Sequence, residues 1–187
     1  INTGLDSLNQ AFESIWNKNA NKLTLAYALK SIKLSLNALA KINQNINDKK
    51  SRIDLAKASL YAGICISQTR TSICHSISYP LTANFKTPHG LACAFTMLAV
   101  INHIIKKKNF FFNLTNKLGF ASIQEFQKKI KKLFYELKVK DKNKSYIKSK
   151  KKLFYLIKDM QTPGRSDNFI FPIDDHFLKL ILKDSYL

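Results

Sequence analysis

The chain has 187 residues, 45% of them hydrophobic, with five Gly and four Pro. That length sustains a sizeable core without disulfides or a structural metal, and so few turn formers favour long helices. Strand-type alternation of apolar and polar residues is hard to find, so the expected class is all-α, a helical bundle over residues 1–187.

Thr3-Gly4-Leu5-Asp6 reads as a loop running into a helix, after which Leu8, Ala11, Phe12 and Ile15 fall at helical spacing and Asn17 to Asn21 form a polar break. A long amphipathic helix is predicted from Thr24 to about Gln44, with Ala28, Ile32, Leu36 and Leu39 on one stripe. Asp48 is placed to cap the next helix, which runs through Ile53, Leu60 and Ile66. Its end is apolar nearly all round, which predicts a central place in the bundle. Residues 69–79 read as a short buried helix stopped by Pro80, residues 81–87 as a loop, and Pro88 as the start of an apolar helix from Gly90 to Ile105.

Beyond Lys106 the character changes. The stretches around Phe110-Phe111-Phe112, Phe126 to Leu137 and Tyr146 to Ile157 mix aromatics with lysines and read as basic amphipathic helices, interrupted at Gly119. Thr162-Pro163-Gly164 is a turn, and Asp174 or Asp175 opens a final helix ending at Tyr186.

The formal net charge of +19 raises nucleic acid or an anionic membrane as partners. Its distribution weakens that reading, because Lys106 to Lys158 hold 17 Lys and no Arg against Glu125, Glu136 and Asp141. Nucleic-acid surfaces recruit Arg for bidentate contacts and stacking. A Lys-only excess in a chain rich in Asn, Ile and Phe reads as compositional drift. Cys65, Cys74 and Cys93 are odd in number and lie in apolar surroundings, as free thiols of a cytoplasmic protein would. No apolar run reaches membrane-spanning length and no signal peptide is visible. The opening Ile-Asn-Thr-Gly, in place of Met, leads us to expect a fragment or a frame opened upstream.

Four polar residues could carry chemistry. Asp6 and Gln10 are four apart and share a helix face. His75 lies in the short buried helix, and His89 follows it by fourteen residues, directly after Pro88. Two histidines and one carboxylate with open positions form a donor set typical of non-haem Fe(II). Each histidine taken alone reads more readily as a satisfied core or capping residue than as a ligand. A competing set, Cys74, His75, His89 and Cys93, loosely imitates a closed zinc site, although Cys74 and His75 are adjacent and point about 100° apart on a helix.

The segment from Thr3 to Glu13, TGLDSLNQAFE, resembles the Thr-Gly-x-Asp-Ala-Leu-x-His-Ala-x-Glu segment of the iron-dependent (group III) alcohol dehydrogenases. Residues 69–94, TRTSICHSISYPLTANFKTPHGLACA, resemble that family's signature around two metal-binding histidines, and Gly164-Arg165-Ser166-Asp167-Asn168 resembles its closing segment. The resemblance implies the family's helical C-terminal domain, of dehydroquinate synthase-like fold. It implies Asp6, His75 and His89 as metal ligands, with Gln10 where the family usually has a third histidine. Tyr79 stands where many members carry a further histidine near the substrate. Fe(II), with Zn(II) as the alternative, would act as a Lewis acid on a small alcohol or aldehyde while NAD(P)H delivers hydride.

The chain has no Gly-rich phosphate loop after a strand and no strand–helix alternation. The nucleotide-binding domain is therefore an expected partner, without which the isolated chain should be inactive; a homodimer is left open. Thr-Arg-Thr at 69–71 and Ser-Tyr-Pro-Leu-Thr at 78–82 are closest to the branch that includes phosphonoacetaldehyde reductases, which would give Arg70 and Lys86 a phosphonate or carboxylate to hold. The plainer role for Arg70 is to cap carbonyls or pair with an acid such as Glu13. Gln10 weakens the donor set, and Met97-Leu98-Ala99-Val100 lacks the proline usual after the signature. Two other readings stay open: a degenerate, non-catalytic relic of that domain, and a basic helical module for nucleic acid.

Overall fold

The computed structural model describes residues 1–106 and 109–186, with side chains described for all of these except 109–113. Among the described residues there are ten α-helices and no strand. These are α1 (Asn2–Ile15), α2 (Lys22–Gln44), α3 (Lys49–Thr69), α4 (Ile73–Phe85), α5 (His89–Ile105), α6 (Asn109–Leu118), α7 (Ile123–Glu136), α8 (Val139–Tyr146), α9 (Lys150–Tyr155) and α10 (Asp175–Tyr186). Short 3-10 turns cover Leu156–Met160 and Ser166–Asn168. The fold is all-α, as the sequence predicts.

Local signals set most boundaries. Asn21 accepts the N–H groups of Leu23 and Thr24 while Thr24 Oγ1 accepts the N–H of Asn21, a reciprocal capping box that starts α2. Asp48 caps α3 through the N–H groups of Lys50 and Ser51 and the Ser51 hydroxyl. Ala28, Ile32, Leu36 and Leu39 are all buried, so the stripe read from the sequence is the face α2 turns to the core. The side chains of the Phe110–Phe112 run lie outside the described residues. Further on, Phe126 and Phe134 are buried, and Phe126 packs on Phe12 and Phe120 at 6.1 and 5.4 Å between ring centroids.

Several expectations are corrected. α1 begins at Asn2, because the Leu5 N–H bonds the Ile1 carbonyl and Gly4 lets the first turn press against α2: a Cβ at Gly4 would come within 2.8 Å of Leu39 Cδ2. α3 is peripheral, with Ile53 and Leu60 exposed at 55% and 62%, and its inward stripe is the small set Ser51, Ala58, Ala62, Cys65 and Thr69. The central elements are α1, which packs on α2, α3 and α5, and α5, which packs on α1, α4, α8 and α10.

α4 continues through Pro80 to Phe85, so 81–87 is not a loop. Proline forfeits one helical hydrogen bond, but Ile77 and Leu81 are fully buried on either side of it, and their packing holds the helix together. The predicted helix over 146–157 is divided, since α8 ends at Tyr146 and α9 runs into a 3-10 turn. α5 runs unbroken through Met97-Leu98-Ala99-Val100 to Ile105.

Candidate metal centre

α1, α4 and α5 bring three predicted residues together. Asp6 lies in the second turn of α1, His75 is the third residue of α4, and His89 is the first residue of α5. Gly90 permits this meeting. A Cβ there would overlap the carbonyl oxygen of Asn2 and come within 3.1 Å of Asp6 Cβ, so only glycine lets α5 touch α1 beside the aspartate. Asp6 Oδ1 then stands 3.1 Å from His75 Nε2 and 3.8 Å from His89 Nε2. The two imidazoles meet edge to face, 5.3 Å between centroids.

A fourth donor joins them. Cys93 is one turn after His89 on α5, and its Sγ is 3.7 Å from His89 Nε2. Asp6, His75, His89 and Cys93 each offer a ligand atom, and these atoms all lie within 4.8 Å of one another. Of the competing cysteine-rich set, Cys93 therefore belongs to the cluster, while Cys74, buried with its N–H on Glu13, does not.

Glu13 supports the cluster from behind. It is fully buried on α1, and its carboxylate accepts the N–H groups of Ser72, Cys74 and His75 at the open first turn of α4. Ser72 contributes no side-chain cap there, so a carboxylate from another helix satisfies the donors and the dipole of that terminus. Glu13 Oε2 also lies 2.6 Å from His75 Nδ1. This pairing turns His75 Nε2 toward Asp6 and is the carboxylate–histidine arrangement that orients metal ligands.

The electrostatics suit a cation. Burial opposes charge on His75, but the Glu13 carboxylate and then Cys93 overcome it and hold the imidazole well above its ordinary pKa. His89 is raised too, first by its hydrogen bond with Cys93. Burial raises the Cys93 thiol, yet the positive fields and hydrogen bonds of His75 and His89 bring it below its usual value. A divalent ion bound there would have to displace the protons of these groups, because each ligates through a deprotonated atom.

The spacing also fits. A tetrahedral ion with ligands at about 2.0–2.3 Å spaces its donors roughly 3.5 Å apart, close to the 3.1, 3.7 and 3.8 Å found here. His75 and Cys93 are buried, whereas the side chains of Asp6 and His89 are 25% and 40% exposed, leaving one side open.

The remaining candidates are less closely joined. Gln10 Nε2 donates to Asp6 Oδ2 at 3.1 Å, so Gln10 adjoins the cluster. The Tyr79 ring lies nearly parallel to that of His89 at 6.1 Å, and its hydroxyl accepts from Arg165 Nε at 3.2 Å. The segment carrying Arg165 is tied to α4 through Thr162 N–H on Ser76 Oγ, and to the link before α4 through Asn168 Nδ2 on the Thr71 carbonyl. Arg70 and Lys86 are exposed residues with positive φ at the ends of α3 and α4. Among the described residues neither forms an ion pair, and Glu13 pairs with His75 instead of Arg70. Glu13 and Arg165 lie within the segments that carry the resemblance, but the sequence offers Glu13 only as a partner for Arg70 and gives Arg165 no role. The Glu13-to-His75 link spans 62 residues and has no local signal.

The described residues thus form an all-α fold with a histidine–carboxylate cluster where α1, α4 and α5 meet. The profile of the Fe-containing alcohol dehydrogenase family, C-terminal, matches residues 1–168, and the chain belongs to that family. It is 32% identical over 103 residues to phosphonoacetaldehyde reductase of Streptomyces viridochromogenes, a match covering 54% of this chain and 26% of that protein. Against 1,3-propanediol dehydrogenase of Citrobacter freundii identity is 31% over 125 residues, covering 66% and 30%. The structure superposes on that of sulfoacetaldehyde reductase from Bifidobacterium kashiwanohense in complex with NAD+, with a TM-score of 0.85, 22% identity, and coverage of 99% of this chain and 49% of that one. A 1,3-propanediol oxidoreductase structure gives a TM-score of 0.86 at 21% identity, covering 98% and 50%. The chain thus spans about half the length of these solved relatives. Among the described residues, no helix is long and apolar enough to cross a membrane.

Proposed function

We propose that this chain is the metal- and substrate-binding half of an NAD(P)H-dependent alcohol dehydrogenase or aldehyde reductase. The observation that carries this is the convergence of Asp6, His75 and His89 within one cluster, with Glu13 fixing His75 from behind. A divalent ion held there, Fe(II) or Zn(II), supplies Lewis acidity toward a substrate carbonyl. Asp6 and the two histidines bind and orient it, and Gln10 steadies Asp6 through their hydrogen bond. Tyr79, beside the exposed edge of His89, positions substrate or carries a proton at its hydroxyl. Hydride would come from a nicotinamide held by an α/β domain in this polypeptide or another, because the described residues form helices and no strand.

A phosphonate- or carboxylate-bearing aldehyde is the proposed substrate class. It is supported by the similarity to phosphonoacetaldehyde reductase. Arg70 and Lys86 are candidate cations for the anionic group, and Arg165 is a third, already bonded to Tyr79. A second reading, a non-catalytic relic, is favoured by Gln10 alone, since an amide is a weaker donor than the histidine the resemblance leads one to expect.

The test joins this chain to the nucleotide-binding half of a solved relative and follows NADH and NADPH oxidation with phosphonoacetaldehyde, a semialdehyde and a neutral aldehyde. Metal-dependent oxidation that is lost in Asp6→Ala and His89→Ala, and is fastest with the anionic substrates, is the expected result. A folded fusion that binds nucleotide yet oxidises none of it would overturn the catalytic reading in favour of the relic.

A further inference from the structure

We infer that Cys93 is the fourth protein ligand of this centre, making it an Asp-His-His-Cys site suited to zinc(II) more than to iron(II); the inference rests on the metal-binding role proposed above. Cys93 is fully buried, one helical turn after His89 on α5, so its position is fixed by the helix that presents His89. Its sulfur is 3.7 Å from His89 Nε2 and within 4.8 Å of the ligand atoms of Asp6 and His75.

Gln10, where the resemblance leads one to expect a third histidine, has its amide nitrogen engaged by Asp6 Oδ2. A set of three strong donors thus faces a thiol in its fourth corner. On binding, the metal–sulfur bond forms, the S–H bond breaks, and the proton leaves to solvent, with no change of oxidation state. Soft thiolate donors select zinc among the divalent first-row ions that also accept imidazole and carboxylate. Cys74 and Cys65 lie outside the cluster and serve as internal controls.

Cobalt(II) reports the donor set directly, because a thiolate ligand adds a near-ultraviolet charge-transfer band to the visible bands of the ion. The chain titrated with cobalt(II) should show both. Cys93→Ser should lose the charge-transfer band and keep visible bands at weaker affinity. Cys74→Ser and Cys65→Ser should retain it. Zinc(II) should displace cobalt, and Cys93→Ser should narrow the preference for zinc(II) over iron(II). Visible bands without a charge-transfer band in the unaltered chain would overturn the role of Cys93 while leaving the metal site standing. Absence of cobalt uptake by the folded chain would overturn both.

Discussion

Glu13 grips His75 at two points: Oε2 lies 2.6 Å from Nδ1, and Oε1 accepts the residue's own N–H at 3.1 Å. One carboxylate therefore closes the first turn of α4 and aims the imidazole at Asp6. Glu13→Gln, of nearly the same volume, should lower stability by about 1–3 kcal/mol through imperfectly satisfied buried groups. It should also weaken metal binding about 10–100-fold. Urea unfolding and zinc titration of the same variant check the two effects, and unchanged affinity would show that His75 is oriented by other means.

Gly90 and Gly63 make opposite predictions. A Cβ at Gly90 would collide with α1, whereas one at Gly63 meets nothing within 4 Å. Gly90→Ala should force α1 and α5 apart, costing roughly 1–3 kcal/mol and loosening the contact between Asp6 and His89. Gly63→Ala, inside α3, should stabilise by about 0.5–1 kcal/mol. Thermal unfolding of both variants is the measurement, and equal shifts would contradict the close approach.

Acid should uncap α3. The hydrogen bond from the Ser51 hydroxyl is the main cause holding Asp48 below the ordinary carboxylate pKa, helped by the Ser51 and Lys50 N–H groups. Because its pKa is depressed in the folded chain, its stabilising contribution is present above the unfolded value, about 3.9. It is lost as pH falls through the lower folded value. Asp48→Asn keeps a capping oxygen without the charge, so its stability deficit should be present at pH 7 and vanish in strong acid. A deficit that persists below that range would exclude titration of Asp48 as its cause.

The thiols should respond to alkali. Burial pushes Cys65 up to about 11, against the weaker opposing effect of Ser14. A raised thiol pKa stabilises the fold below the unfolded value, roughly 8.5, and that contribution is lost as pH rises toward 11. Alkylation of the native chain at pH 8 should therefore leave Cys65 unmodified, and also Cys74, whose thiol burial holds well above its usual value. Mass spectrometry after brief iodoacetamide treatment reads this, with denatured chain as control. Rapid labelling of Cys65 in the folded state would contradict its burial.

Much of the fold was legible because its signals are local. Asp48 and Pro88 start the predicted helices, the Ala28-to-Leu39 stripe faces the core, and α10 begins at Asp175 and ends at Tyr186. The misreadings came where tertiary packing outweighs propensity. Burial of Ile77 and Leu81 carries α4 past Pro80. The apolar residues at the end of α3 gave no hint that Leu60 would face solvent. Of α8, only Val139 and Asn143 face inward, too few to make a periodic stripe. Spacing and resemblance found Asp6, His75 and His89. Glu13 could not be paired with His75 from sequence, because 62 residues separate them, whereas Cys93, already in the competing cysteine-rich set, joins the cluster one turn after His89 on α5.

The most direct measurement is a calorimetric titration of the purified chain with zinc(II), and with iron(II) under anaerobic conditions, beside His89→Ala and Asp6→Ala. One ion bound per chain, with binding abolished or greatly weakened in both variants that remain helical by circular dichroism, is the predicted result. No ion bound, or equal binding by all three proteins, would contradict the metal centre and leave a family fold without its chemistry.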